Sequence, residues 1–437
     1  VTVHWCEWAW LADGPVAGVA VRHDDGVIVD VSVVDRAPAG SVRLSGVVFP
    51  GFANAHSHAF HRGLRGRTHG DGGTFWTWRE HMYALADRLD PDSYLRLARA
   101  AYAEMALAGV TCVGEFHYLH HRPGGGRYHD PNAMGVALIE AAREAGIRLT
   151  LLDTCYLAGG IGRPVSERQR RFSDGTVHHW ASRVAELRDS DTVRIGAAIH
   201  SVRAVPRQDL AKVAEHGGPL HVHLSEQPAE NDECRAAYGR TPTEVLDDED
   251  VLGERTTAVH ATHLTARDIA LLGASGTGAC FCPTTEADLA DGIGPARELV
   301  DVGAPLSLGS DQHAVVDPFA EMRGLEAGER LRTGRRGRFT PLELVTAATV
   351  TGHAALGWPD AGRIAPGAPA DLVAVRLDTP RTAGSTPEQV VLAASASDVD
   401  TVVVGGRTVV SGGEHVIGDV GALLREVIGE LWAGDVA

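Results

Sequence analysis

At both ends of the chain apolar and polar residues alternate, while through the middle apolar residues come in solid runs. Residues 18–21 and 26–29 alternate about Asp24 and Asp25, and the same texture returns at 371–375 and 401–406. A period of two predicts short strands. The two termini are therefore expected to build one small β-sandwich domain, residues 1–48 with 364–420, with a C-terminal helix over 421–437. Between them, apolar β-rich runs near 47–49, 110–116, 148–155, 194–200, 220–224, 257–260, 278–282 and 305–309 give way to stretches of helical composition such as 93–108, 133–145 and 295–302. Solid strands alternating with helices predict a parallel sheet buried on both faces. Eight such units over residues 49–363 predict an α/β fold, a (β/α)8 TIM-like barrel. An open doubly wound sheet is the rival, but no Gly-x-Gly-x-x-Gly turn follows the first strand.

Composition narrows the functional classes. With 44% apolar residues in a chain of 437, a packed core is expected. Forty basic against 57 acidic residues give a net charge of -17. That balance argues against nucleic acid or a membrane surface as partner and leaves room for a local basic pocket. No run of 18 apolar residues predicts a membrane span, and the first 13 residues lack the pattern of a signal peptide. The six cysteines are scattered except for Cys280 and Cys282. They show no disulfide or zinc-ribbon spacing, so a cytoplasmic location is expected. Every basic residue is arginine except Lys212, which leaves lysine chemistry a single candidate.

Metal-capable residues recur where the predicted strands end. The first strand runs into Asn54-Ala55-His56-Ser57-His58, the fifth through His221-Val222-His223-Leu224-Ser225-Glu226, the sixth into His260-Ala261-Thr262-His263, and the eighth into Ser310-Asp311-Gln312-His313. In a barrel these ends converge on the face that carries active sites. Residues i and i+2 of a strand point the same way, so His56 and His58 chelate one ion from one strand end. A histidine of the fifth strand and an aspartate of the eighth close the set. Imidazoles with a carboxylate suit zinc or a similar first-row metal. Strand parity does not separate His221 from His223.

With these motifs the chain resembles the amidohydrolase superfamily, in its metal-dependent deaminase branch, and the resemblance covers the whole chain. It implies His56, His58, His223 and Asp311 as metal ligands, because the family histidine stands three residues before the glutamate. It implies His260 rather than His263 on the sixth strand. Glu226, His260 and Asp311 are then the catalytic groups: Glu226 reaches the leaving nitrogen, His260 orients or polarises the attacking water, and Asp311 takes its first proton. Binuclear members bridge two metals with a lysine at the end of the fourth strand. Lys212 falls later, in the helical stretch 208–216, so one divalent metal per subunit is expected, with zinc the leading candidate.

Further segments sharpen the resemblance. Trp5-Cys6-Glu7, Phe75-Trp76-Thr77-Trp78-Arg79-Glu80, Glu115-Phe116-His117-Tyr118-Leu119-His120-His121 and Cys282-Pro283-Thr284-Thr285-Glu286-Ala287-Asp288-Leu289 are similar to those of the formimidoylglutamate deiminase family. That family hydrolyses N-formimidoyl-L-glutamate to N-formyl-L-glutamate and ammonia in histidine degradation. A dianionic small molecule is then the expected partner, and arginine is the side chain that grips a carboxylate bidentately. The resemblance implies Arg79 and Arg203 as substrate contacts, with Tyr118 and His200 as hydrogen-bonding partners. It also implies a homodimer. At His61 the chain departs from the family's usual glutamine, at a position expected to touch the substrate's carboxylate end. Deamination of a heterocyclic base or nucleoside-derived substrate is the alternative, and a non-enzymatic metal-stabilised scaffold is a third reading.

Overall fold

The computed structural model describes residues 1–70 and 74–433, without the side chains of Phe75 and Trp76. The chain opens with four strands, β1 (Thr2–Leu11), β2 (Gly14–Asp24), β3 (Val27–Val33) and β4 (Val42–Pro50). Eight more follow with helices between them: β5 (Phe52–Ser57), β6 (Val110–His117), β7 (Arg148–Cys155), β8 (Val193–Ile199), β9 (Leu220–Leu224), β10 (Thr256–His260), β11 (Gly278–Phe281) and β12 (Leu306–Leu308). The last four are β13 (Leu372–Val375), β14 (Val399–Val404), β15 (Arg407–Ser411) and β16 (Glu414–His415).

Strands β5 to β12 form one parallel sheet in sequence order. Their residues are buried almost throughout, as a sheet covered on both faces requires. This is the predicted barrel. It closes at its rim through a parallel bridge between Ser57 and Asp311. The Asp311 amide donates to the His56 carbonyl at 2.9 Å, and the His58 amide donates to the Asp311 carbonyl at 3.1 Å. The backbone that seals the barrel thus carries three of the four residues singled out as metal ligands, His56, His58 and Asp311.

The remaining strands form a second sheet, in the order β16-β15-β14-β13-β4-β1-β2-β3, mixed because β1 and β4 run parallel. It is one continuous sheet that curls on itself. The Ile28 amide of β3 donates to the Ala368 carbonyl at 2.8 Å, and Cys6, Val19, Ile28, Leu44, Leu372 and Val403 fill the interior. The sandwich expected from the termini is therefore made without a break in hydrogen bonding. Its other face, with Val47, Phe49, Val373 and Val402, joins the core of the barrel.

One strand assignment changes. Residues 47–49 lie in β4 of the small sheet, paired with β13, and the first barrel strand is β5. The chain crosses between the sheets at Gly51, where a Cβ would fall 2.1 Å from Thr111 Oγ1. Only glycine fits that passage, and the apolar run on either side of it hides the boundary. At the other end the helix Val420–Leu431 packs on Pro91–Leu107, and Trp432 donates to the Gly63 carbonyl at 3.0 Å. The expected helix beyond residue 433 lies outside the described residues. Among the described residues no helix is long and apolar enough to cross a membrane.

Candidate active site at the barrel rim

The rim is built by strand ends whose backbone turns sharply. Ser225, His260, Ala261, Asp311 and His313 all adopt left-handed φ between 42° and 69°, a region unusual for residues other than glycine and found where a site demands it. Packing holds these turns. Asn54 of β5 bonds Ser310 on both sides, Nδ2 to Oγ at 2.7 Å and Oδ1 from the backbone amide at 2.9 Å. Gly309 lets the end of β12 pass β5, since a Cβ there would meet the His56 backbone at 2.8 Å. Glu115 of β6 accepts from the Ala59 amide at 2.7 Å and from Ser57 Oγ at 2.9 Å. It thereby fixes the turn that follows His58. Burial pushes the Glu115 carboxyl up to about 8.

Four side chains converge in this frame. His58 Nε2 lies 3.3 Å from Asp311 Oδ1, and His56 Nε2 lies 3.4 Å from the same oxygen. His223 Nε2 is 3.1 Å from His56 Nε2. The far ring nitrogens decide what these atoms are. His58 Nδ1–H donates to the Phe116 carbonyl and His223 Nδ1–H to the His200 carbonyl, each at 2.9 Å. Burial holds His58 down to about 3 and lowers His56 and His223 well below the usual histidine range. The rings are neutral, so Nε2 of His58 and of His223 is a bare lone pair. A lone pair facing a carboxylate oxygen at 3.3 Å repels it unless a cation lies between them. This donor set, with the second nitrogens of His58 and His223 tied to carbonyls and His56 Nδ1 buried without a hydrogen-bond partner among the described residues, fits a divalent metal. His221 shares the inward parity of His223 but stands two residues deeper and bonds the Ala355 carbonyl at 3.0 Å. His313 bonds Ser57 Oγ at 2.9 Å, and His263 donates to the Asp291 carbonyl at 2.8 Å.

Acidic groups gather around His260. Its Nε2 lies 3.8 Å from both Glu226 Oε1 and Asp311 Oδ2, and its Nδ1 lies 3.4 Å from Glu286 Oε1. Burial alone would lower His260, but Glu226, Glu286 and Asp311 outweigh it and raise the imidazole well above its usual range. Burial raises Glu226 above the usual carboxylate range despite His260. Burial, reinforced by Glu226, pushes Asp291 up to about 8.

Two arginines line the same cavity. Arg79 comes from the helix Phe75–Ala86, with Nε 2.6 Å from the Tyr83 hydroxyl. Arg203 follows β8, and its Nε donates to Glu230 Oε2 at 3.1 Å. Glu230 also accepts from the Ser225 amide at 3.3 Å, so one buried carboxylate ties Arg203 to the strand that bears His223. His61 Nε2 hydrogen-bonds the Tyr118 hydroxyl at 2.9 Å. Burial, then Arg203 and Arg79, lowers His200 well below its usual range, which leaves it neutral.

His58, His61, Arg79, Tyr118, His200, Arg203, His223, Glu226, His260 and Asp311 all line this cavity. His56 lies fully buried at its floor. Lys212 is elsewhere, on the helix Arg207–Ala214 and paired with Glu215. The sequence reading left Glu286, Asp291 and Glu230 without roles. Glu286 stood inside the quoted Cys-Pro-Thr-Thr-Glu segment, which was a usable signal. Asp291 and Glu230 carried none beyond their charge.

Residues 47–409 match the Amidohydrolase family, and the chain belongs to that family. It is 38% identical over 428 residues to formimidoylglutamate deiminase of Pseudomonas aeruginosa, covering 93% of this chain and 94% of that protein. It is 32% identical over 416 residues to 8-oxoguanine deaminase of the same organism, covering 91% and 90%. Among solved structures, an amidohydrolase from Brucella melitensis superposes with a TM-score of 0.91 at 32% identity, covering 99% of this chain and 100% of that one.

Proposed function

We propose that this chain hydrolyses N-formimidoyl-L-glutamate to N-formyl-L-glutamate and ammonia. The observation that carries the reading is that one cavity holds both two arginines, Arg79 and Arg203, and carboxylates gathered around His260. A linear substrate with two carboxylates and a basic amidine matches both kinds of group. The 38% identity to a formimidoylglutamate deiminase supports the same choice.

His56, His58, His223 and Asp311 would hold one ion, with zinc suited to three imidazoles and a carboxylate. With Lys212 on an outer helix, no lysine bridge to a second ion is available. The ion when bound supplies Lewis-acid activation of water at neutral pH. Asp311 takes a proton from the water as its oxygen adds to the amidine carbon. His260, held cationic, donates toward that oxygen and steadies the charge that develops there. Glu226, kept protonated by burial, delivers a proton to the terminal nitrogen. The carbon–nitrogen bond then breaks and ammonia leaves, the proton of the added hydroxyl passes to the Glu226 carboxylate as the carbonyl forms, and Asp311 returns its proton to solvent. Arg79 and Arg203 grip the carboxylates, with Tyr118, His200 and His61 completing the hydrogen bonds.

A panel assay of ammonia release tests the reading. Turnover is expected on N-formimidoyl-L-glutamate and not on guanine-like or adenosine-derived bases, and the reverse pattern would overturn it. Arg79→Met and Arg203→Met should each weaken substrate binding by ~1.5–3 kcal/mol, the range for hydrogen bonds to charged groups. Unaltered KM in both variants would remove them from the site.

A further inference from the structure

We propose that Tyr83 and Tyr156 donate hydrogen bonds to the carboxylates of the substrate, and that Gln169 is the positioning residue that makes both hydroxyls donors. The inference rests on the functional reading above and deepens it by extending the set of groups that bind the carboxylates.

Tyr83 and Tyr156 line the cavity that holds Arg79 and Arg203, and Gln169 does not. Gln169 is 4% exposed and sits on the short 3-10 turn Arg168–Phe172. Chemistry settles which way its amide faces. The Ser166 backbone amide meets one end of the side chain at 2.8 Å. A backbone N–H only donates, so that end is the oxygen. The NH2 end then faces the Tyr156 hydroxyl at 2.8 Å and the Tyr83 hydroxyl at 3.3 Å. Its two hydrogens thus find one phenol oxygen each. The Tyr83 oxygen also accepts from Arg79 Nε at 2.6 Å. Phe172 of the same turn packs against both rings, with centroids 5.9 Å from Tyr83 and 5.6 Å from Tyr156. One turn therefore spaces the two rings and orders their hydroxyls.

A phenol carries a single O–H. Neither tyrosine can aim it at Gln169 or Arg79, because those groups are themselves donating. No other described residue accepts from either hydroxyl. Burial pushes Tyr156 up to about 12, so its proton stays in place at neutral pH. What remains open to both hydrogens is the cavity. A buried donor without an acceptor is unfavourable, and a carboxylate, with about four acceptor positions, supplies one. A ligand lacking that carboxylate leaves the donors unmet, so the pair also selects against it.

The test uses the metal-loaded full chain. KM for N-formimidoyl-L-glutamate and the inhibition constant of N-formyl-L-glutamate are measured together, since both ligands carry the same two carboxylates. Tyr156→Phe and Tyr83→Phe should each raise both constants by about tenfold, the lower range for a hydrogen bond to a charged group, with kcat within about threefold of wild type. Gln169→Met should raise both constants in the wild-type background but by less than about twofold in the Tyr83→Phe/Tyr156→Phe background, where no hydroxyl is left to orient. Unchanged constants in either tyrosine variant, or a loss confined to kcat, would overturn the donor assignment. An equal rise for Gln169→Met in both backgrounds would mark its role as structural and overturn the positioning claim. If Gln169→Met fails to fold or load metal, Gln169→Leu is read by the same criteria. Each of these failures leaves the functional reading intact. Absence of any turnover of N-formimidoyl-L-glutamate by the wild-type chain would overturn that reading and this inference with it.

Discussion

Glu226→Gln should lower kcat by ~10²–10⁴-fold, the usual contribution of a positioned general acid or base, with metal content unchanged. Several observations converge on this side chain. It follows the end of β9 three residues after His223, where the left-handed Ser225 turns it inward. It is 7% exposed and lies 3.8 Å from His260 Nε2. Burial favours its protonated form, which is the form that hands a proton to a departing nitrogen. Glutamine keeps the volume and a hydrogen-bond donor but has no proton to transfer, so KM should move far less than kcat. Steady-state ammonia release with metal analysis of the same preparation decides the matter. Turnover equal to wild type would show that Glu226 does not take part in catalysis.

His58→Ala should abolish stable metal loading. The ring contributes a lone pair at Nε2, 3.3 Å from Asp311 Oδ1, and its Nδ1–H is committed to the Phe116 carbonyl. Loss of a mere supporting partner of a metal ligand lowers affinity ~10–100-fold, and loss of the ligand itself should exceed that. The variant leaves three donors and a buried gap beside Phe116 and Tyr118. Elemental analysis after dialysis should find metal well below one ion per subunit, and added metal should restore little activity. Full metal content in purified His58→Ala would contradict the ligand assignment.

Much of this site was legible from the chain because strands impose a strict period. His56 and His58 share a face by parity, and the ends of eight parallel strands must meet at one rim. Helix and strand runs in the barrel were readable for the same reason, being long and solidly apolar. Two kinds of information were not local. The assignment of residues 47–49 to the small sheet depends on pairing with β13, more than three hundred residues away, and apolar content is the same on both sides of Gly51. Glu286 reaches His260 from the helix Pro283–Asp288 that follows β11, and Asp291 comes near His260 and Glu226 after the left-handed turn at Ala290; periodicity carries no signal for either placement. Parity alone did not separate His223 from His221; the resemblance chose His223 by its spacing to Glu226, and depth along β9 separates the two in the structure.

Metal-dependent turnover of one linear amidine is the property to measure. Steady-state ammonia release from N-formimidoyl-L-glutamate should be measured across a series of samples from metal-stripped to fully loaded, with metal content determined on each. The predicted result is turnover that rises in proportion to occupancy and saturates at one ion per subunit. No ammonia from this substrate at full loading, or saturation only at two ions per subunit, would contradict it.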